Sequence, residues 1–428
     1  MTGMLAGSAA EPGCSTEQSS GAEPGAAGGG TGEEQRLARA ALTYLAEPGD
    51  PALGALLEAC EPAEVLAAIK AGRLPAPADR HIAPAAARRA VLVQALGRWR
   101  LRLPDLPRDI AATCGDDIRL VCPSDPEWPG QLDELGPARP YALWLRGTAS
   151  LRSGYPRSAS MVGSRAASAY GAHVAGEIAA DLAERGWAVV SGGAYGIDAA
   201  VHRGVLATGG ITIAVLACGV DHAYPAGHDG LFAAIADGGL VISEWPPGSH
   251  PTRLRFLTRN RVIAALTKGT VIVEAGDRSG ALNTARHAAE LQRPLMAVPG
   301  PVTSPQSAGC HRIIREWGGA LVTCAADVLE MLVPLGDAAS LERWRLPAGE
   351  RTRSEAASAA AQLSRDDLDL DSLRVLDAFP ARASIGPATI ARKAGVEIDT
   401  VIRCVGLLAG CGFIERGEQG WHLTRKAR

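Results

Sequence analysis

The stretch Trp187-Ala188-Val189-Val190-Ser191-Gly192-Gly193-Ala194-Tyr195-Gly196-Ile197-Asp198 decides the fold. A short apolar run stops at a small hydroxyl and two glycines, and a helical pattern carrying His202 and Arg203 comes next. That order predicts a buried parallel strand, a tight loop and a helix. Ser191, Gly192 and Gly193 are candidate phosphate ligands, because glycine lets backbone approach an anion closely and helix starts carry unpaired N–H groups. Asp198 is read as a loop-orienting residue that caps the turn or bonds His202 one turn on.

The same pattern recurs on both sides. Ser158 to Val162 ends in Gly163-Ser164-Arg165, and Thr212 to Leu216 ends in Ala217-Cys218-Gly219. Gly239 to Ile242 ends in Ser243-Glu244, Thr270 to Val273 ends in Glu274, and Pro294 to Val298 closes the series. Helical patterns fall between them, including Tyr170 to Gly186, Arg259 to Leu266, Ala281 to Leu291 and Cys310 to Trp317. Six or more such units predict an α/β fold over 109–333, with a Rossmann-like, doubly wound, mostly parallel sheet. Ligands of such sheets sit at the carboxyl ends of the strands.

The flanks differ in composition. Residues 1–34 have almost no large apolar side chains and are expected to form a disordered acidic tail. Leucines at three- and four-residue spacing predict a small helical domain over 35–108, with Arg88, Arg89, Arg98 and Arg100 on a polar face. Residues 334–367 lose every strand signal and read as a linker. Three helices and a hairpin predict a winged helix over 368–428, whose expected recognition helix, Asp399 to Leu408, is largely apolar.

The 428 residues have a formal net charge of -3, which argues against a non-specific polyanion sponge but allows a local basic groove. Nine cysteines without a CxxC pair fit a reducing compartment and oppose a zinc knuckle. A cytoplasmic protein is expected, since neither a signal peptide nor an apolar run of membrane-spanning length is visible.

Further candidates lie in the second half of the core. Arg259-Asn260-Arg261 precedes an apolar run, and arginines at a helix start oppose the helix dipole, so a ligand anion is expected there. Phe256 offers a ring to a base or to the core. Ser279, Gly280 and Thr284 open a helix whose first turn has unpaired N–H groups, and Glu274 is placed to meet a sugar hydroxyl or to cap that helix. Neither GxxxxGK[ST] nor GxGxxG is present, and no HExxH or comparable set stands out. No cofactor, metal or catalytic residue is therefore expected.

With these residues laid out, the core resembles the DprA/Smf family of DNA-processing proteins. The resemblance rests on Val162-Gly163-Ser164-Arg165 with Tyr170-Gly171, the Ser191-to-Asp198 loop with His202, Cys218-Gly219 with Tyr224-Pro225, and Ser243-Glu244. It continues through Arg259-Asn260-Arg261, Glu274-Ala275, Ser279-Gly280, Thr284-Ala285 and Val298-Pro299-Gly300. It implies a non-catalytic protein that binds single-stranded DNA, forms a homodimer through the core and loads RecA onto DNA coated by single-strand-binding protein during natural transformation. It also implies that Gly163 to Arg165, Ser191 to Gly193 and Arg259 to Arg261 form the DNA pocket. The chain departs from the family pattern at Tyr195, where arginine is usual, at Leu257 for proline, at His228 for asparagine, and at Cys310-His311, where asparagine is expected after Gly309. A rival reading is a phosphoribohydrolase-like enzyme acting on nucleoside monophosphates with Glu274 at its centre.

Overall fold

A computed structural model describes residues 32–81, 86–115, 117–152, 157–333, 370–380, 385–410, 413–417 and 420–424. The expected acidic tail lies outside these residues up to 31, and the expected linker lies wholly outside them. The chain divides into two compact units, Met1–Val333 and Pro334–Arg428.

The first unit opens with five helices: α1 (Gly32–Leu45), α2 (Pro51–Ala59), α3 (Pro62–Ala71), α4 (Ala76–His81) and α5 (Ala86–Arg100). Proline stands at the first position of α2 and α3, where its missing N–H costs nothing, and Asp50 caps α2 by accepting from Ala52 N. Their apolar faces, Leu42, Leu45, Leu53, Leu56, Ile69 and Trp99 among them, close over Tyr141 in one cluster. The helices are therefore fastened to the segment around Tyr141 and Trp144 at the edge of the sheet. Trp144 is fully buried and its indole N–H donates to Thr43 Oγ1 at 3.3 Å. The Tyr141 hydroxyl donates to the Glu47 carbonyl at 3.0 Å and accepts from Asp50 N at 2.9 Å.

The core alternates β1 (Ile118–Val121), β2 (Leu143–Arg146), β3 (Ser158–Val162), α6 (Ala169–Glu184), β4 (Ala188–Ser191), α7 (Ile197–Ala207), β5 (Thr212–Leu216), α8 (Asp229–Gly238) and β6 (Leu240–Ser243). It continues with α9 (Arg253–Ala265), β7 (Thr270–Ile272), α10 (Ala281–Glu290), β8 (Leu295–Ala297), α11 (Ala308–Glu316), β9 (Ala320–Leu321) and α12 (Ala325–Leu332). The nine strands lie in the order β1-β2-β6-β5-β4-β3-β7-β8-β9. Pairing is parallel from β6 to β9, while β2 joins β6 antiparallel and β1 joins β2 antiparallel. Strands β3 to β6 are buried throughout, because helices cover both faces. Alternation sends Met161 and Val189 to one face, with Ile178, Leu182, Val201 and Val205, and sends Val162 and Val190 to the other, with Val262, Ile263, Leu282 and Ala285. The parallel strands expected between Ser158 and Val298 all form, within one or two residues at their ends.

One helix differs from expectation. Instead of beginning at Arg259, α9 begins at Arg253, because the Thr252 hydroxyl accepts from Arg255 N at 3.3 Å and caps it. Arg259-Asn260-Arg261 thus lies mid-helix, and the helix dipole gives no reason for an anion there.

The second unit contains α13 (Leu370–Asp377), α14 (Pro387–Ala394), α15 (Ile398–Gly410) and the hairpin of β10 (Ile414–Gly417) and β11 (Gly420–Leu423). Val375, Ile390, Val401, Val405, Leu408 and Phe413 form its core, and an antiparallel bridge joins Ile385 to Trp421. Three helices and a terminal hairpin make a winged helix. On α15, Ile398, Ile402 and Leu407 remain exposed.

Candidate nucleic-acid interface

Strand order reverses beside β3: β4, β5 and β6 succeed it on one side, and β7, β8 and β9 lie on the other. Loops leaving β3 and β7 must part there, which opens a crevice at the carboxyl edge of the sheet. A cavity of about 720 Å³ fills this position. Its walls are the loop after β3, the segment leading into α10, and one face of α9.

The first wall carries Gly163, Ser164 and Arg165. A Cβ on Gly163 would lie 2.6 Å from the Ile197 side chain and 2.9 Å from the Glu274 carbonyl oxygen, so only glycine lets the loop pack there. Asp198, 6% exposed, accepts from Ala194 N at 3.3 Å and from the Gly163 N–H, tying two loops together. Burial pushes its carboxyl up, against the pull of Arg259. Asp198 makes no bond to His202. The His202 ring pairs through Nδ1 with Thr212 Oγ1 at 2.7 Å, while that hydroxyl donates to the Val189 carbonyl at 2.9 Å. The network therefore assigns the proton to Nδ1, and His202 serves the sheet interior.

Glu274 is buried and turned away from the crevice. One carboxylate oxygen accepts from Ser168 N at 2.9 Å and the other from the Ser168 hydroxyl. Ser168 caps α6, accepting from Gly171 N at 3.0 Å. Glu274 thus fixes the far end of the loop that carries Arg165; it caps neither α10 nor a sugar. This removes the residue on which the phosphoribohydrolase reading depended.

The opposite wall is α9, from which Thr252, Arg253, Phe256, Leu257, Arg259, Asn260 and Ile263 line the cavity. Phe256 sits between cations, with the Arg165 guanidinium 4.5 Å and that of Arg259 5.8 Å from its ring centre. Arg259 is 4% exposed and donates through Nη1 to the Gly192 carbonyl at 2.8 Å and to the Val215 carbonyl. Its buried Nε has no partner among the described residues. Burial pushes the guanidinium down to about 10, with Asp198 opposing, so it stays charged at neutral pH. Gly192 is required for this approach: a Cβ there would lie 2.4 Å from the Arg259 guanidinium.

Arg261 points the other way. Its two terminal nitrogens each lie 2.6 Å from a Glu244 oxygen, in a pair 7% and 2% exposed. It also donates to the carbonyls of Thr258 at 2.8 Å and Ala138 at 2.9 Å. No donor face is left for a phosphate.

Along the third wall, Arg278, Ser279, Gly280, Asn283 and Thr284 line the cavity, where α10 begins without a side-chain cap. Asn260 Nδ2 donates to Asn283 Oδ1 at 3.2 Å, joining this wall to α9. The crevice therefore collects Gly163, Ser164, Arg165, Phe256, Arg259, Asn260, Ser279, Gly280 and Thr284. Ser191, Gly192 and Gly193 stand behind it: Ser191 Oγ donates to the Met161 carbonyl at 2.7 Å, and the Gly193 carbonyl pairs with His228 Nδ1 at 3.0 Å. Sequence reasoning missed Arg253 and Arg278, both exposed and without an ion-pair partner among the described residues. Projecting α9 from its Thr252 cap puts Arg253 on the Phe256 face, and Arg278 stands just before the α10 start. Among the described residues, no group of three or more His, Cys, Asp or Glu side chains is placed to hold a metal ion, and no helix is long and apolar enough to cross a membrane.

Several known proteins are similar to this chain. Residues 119–333 match the family model described as DNA recombination-mediator protein A. The putative DNA processing protein DprA of Mycobacterium tuberculosis is 44% identical over 317 residues, 72% of this chain and 77% of that one. DprA of Streptococcus pneumoniae is 41% identical over 202 residues, 47% of this chain and 70% of that one. The X-ray structure of DprA from Streptococcus pneumoniae superposes with a TM-score of 0.51 at 34% identity, covering 56% of this chain and 83% of that one. The chain thus belongs to the DNA recombination-mediator protein A family, the DprA/Smf proteins.

Proposed function

We infer that the chain acts as a recombination mediator by binding single-stranded DNA in the crevice between β3 and β7. The observation that carries this is the convergence of Arg165, Arg253, Arg278 and the open start of α10 around a half-buried Phe256. Guanidiniums and helix-start N–H groups hold phosphates without regard to sequence. An aromatic face in a crevice is usable only by a base that is not already stacked in a duplex, which favours single strands. The role is binding rather than turnover.

Family membership supports three finer readings: protection of incoming DNA during natural transformation, loading of RecA onto strands coated by single-strand-binding protein, and homodimerisation through the core. A cytoplasmic location goes with them. Competition between a labelled oligothymidine and unlabelled single-stranded or duplex DNA tests the central reading. Displacement by single strands at far lower concentration than by duplex is expected; equal displacement would overturn it. RecA strand-exchange assays on coated DNA test the loading step, and sedimentation across a concentration series tests the dimer.

A further inference from the structure

Aromatic residues make up 4% of the chain. Among the described residues, those most open to solvent are Tyr170, Tyr195 and Tyr224, exposed by 44%, 51% and 45%. Each comes after the carboxyl end of a strand, β3, β4 and β5 respectively, so all three lie on the edge of the sheet that opens into the crevice. Scattered exposed rings are ordinary on a protein surface, but a set gathered on one edge beside an anion crevice is not.

Their surroundings separate them. The Tyr170 hydroxyl donates to the Pro299 carbonyl at 2.7 Å, which ties that ring to the loop after β8. Tyr224 lines the crevice and lies tilted against Phe256, with ring centres 5.6 Å apart. Tyr195 adjoins the crevice residue Ala194 and is braced by His228, at 4.6 Å between ring centres and 71° between planes. His228 is itself 2% exposed and anchored to the Gly193 carbonyl. Space for the ring is left by Gly227, where a Cβ would come within 2.8 Å of the Tyr195 hydroxyl. Two departures from the family pattern, Tyr195 and His228, are thus in contact. A ring held from one side and open on another is pre-organised, so little further ordering is needed when a flat partner arrives.

We propose that Tyr224 and Tyr195 form a base-stacking track that continues from Phe256, on which nucleobases just outside the crevice rest as the strand crosses the loops after β5 and β4. This inference rests on the single-stranded DNA reading above. Arginines at the crevice hold phosphates and give salt-dependent affinity; stacking on tyrosine is uncharged and adds affinity at every salt concentration. It requires bases, and it does not require a particular base.

The test uses the full chain and two labelled strands of equal length, oligothymidine and a strand of abasic deoxyribose phosphates. Tyr195→Ala is expected to weaken oligothymidine binding about tenfold, with an unchanged salt slope, and to leave abasic-strand binding as it was. Tyr195→Trp should restore the loss. Tyr195→Leu, which keeps apolar bulk against His228, should behave like alanine. Equal weakening on both strands would assign Tyr195 a structural role and overturn the proposal, as would unaltered oligothymidine binding. Failure of the unmodified chain to bind either strand at low salt would overturn the underlying reading as well. Binding of both strands by the unmodified chain with equal affinity would overturn the track and the base contact at Phe256, leaving phosphate contacts as the whole of the affinity.

Discussion

Helix α9 carries two kinds of arginine, those that line the crevice and those paired with a carboxylate. Arg253 and Arg259 border the crevice with Phe256, whereas Arg255 and Arg261, on either flank of that face, join the helix to the rest of the unit. Arg255 donates to Glu47 at 2.7 and 3.1 Å, fastening α9 to the N-terminal helices, and Arg261 pairs with Glu244. The residue type is the same, yet among the described residues a carboxylate partner distinguishes Arg255 and Arg261 from the crevice pair. Only Glu244 of these two partners is buried, so the Arg261 pair is expected to govern stability, and the proposed function assigns ligand affinity to the crevice cations. Substitution can separate the two roles.

The largest effect is expected on the architectural face. Arg261→Ala strands a Glu244 carboxylate that is 2% exposed, which costs about 3–5 kcal/mol. Replacing both partners, Arg261→Met with Glu244→Leu, should recover most of that loss, because no charge is then left buried. Urea unfolding of the single and double variants checks this. A mild single variant would show that the pair is better solvated than its geometry implies.

His202 gives the next effect. Burial holds its imidazole at about 3, below its ordinary value of about 6.5. The unfolded chain takes up this proton as pH falls through about 6.5, and the folded chain does not. Stability should therefore be complete above about 6.5 and decline below it, by ~2 kcal/mol at pH 5. His287, also lowered by burial, adds to the same window. His202→Asn should flatten the profile by one proton; an unchanged profile would place the titration elsewhere.

Glu274→Ala leaves the Ser168 N–H and hydroxyl without their acceptor, at a cost of about 1–2 kcal/mol. Because the loop after β3 also carries Arg165, this variant should lose DNA affinity together with stability. Arg165→Ala is the opposite case. Its side chain is exposed, so unfolding should shift by no more than about 0.5 kcal/mol while binding weakens.

The sheet was legible because each parallel strand is a short apolar run ended by glycine or a small polar residue, as in Val162-Gly163 and Val190-Ser191-Gly192. The crevice was legible in part, since Gly163 to Arg165 and Ser279 to Thr284 occupy strand-to-helix turns that the topology sends to one edge. The start of α9 was not, because its first turns carry Leu254 and Leu257 exposed and Arg253, Arg255 and Arg259 interspersed, with no apolar period to see. The partner choices of His202, Glu274 and Arg261 were hidden for a different reason. Local spacing favoured Asp198 with His202, but the bonds that form run to Thr212, Ser168 and Glu244, residues brought near only by the folded sheet.

The central claim is that crevice cations hold strand phosphates while the carboxylate-paired arginines of α9 do not. The most direct measurement is the salt dependence of oligothymidine affinity for the unmodified chain and Arg165→Ala, with unfolding midpoints taken in parallel. The predicted log–log slope is shallower by about 0.7 in the variant, the share of one phosphate contact on a single strand, at an unchanged midpoint. An unchanged slope in a folded variant would contradict it.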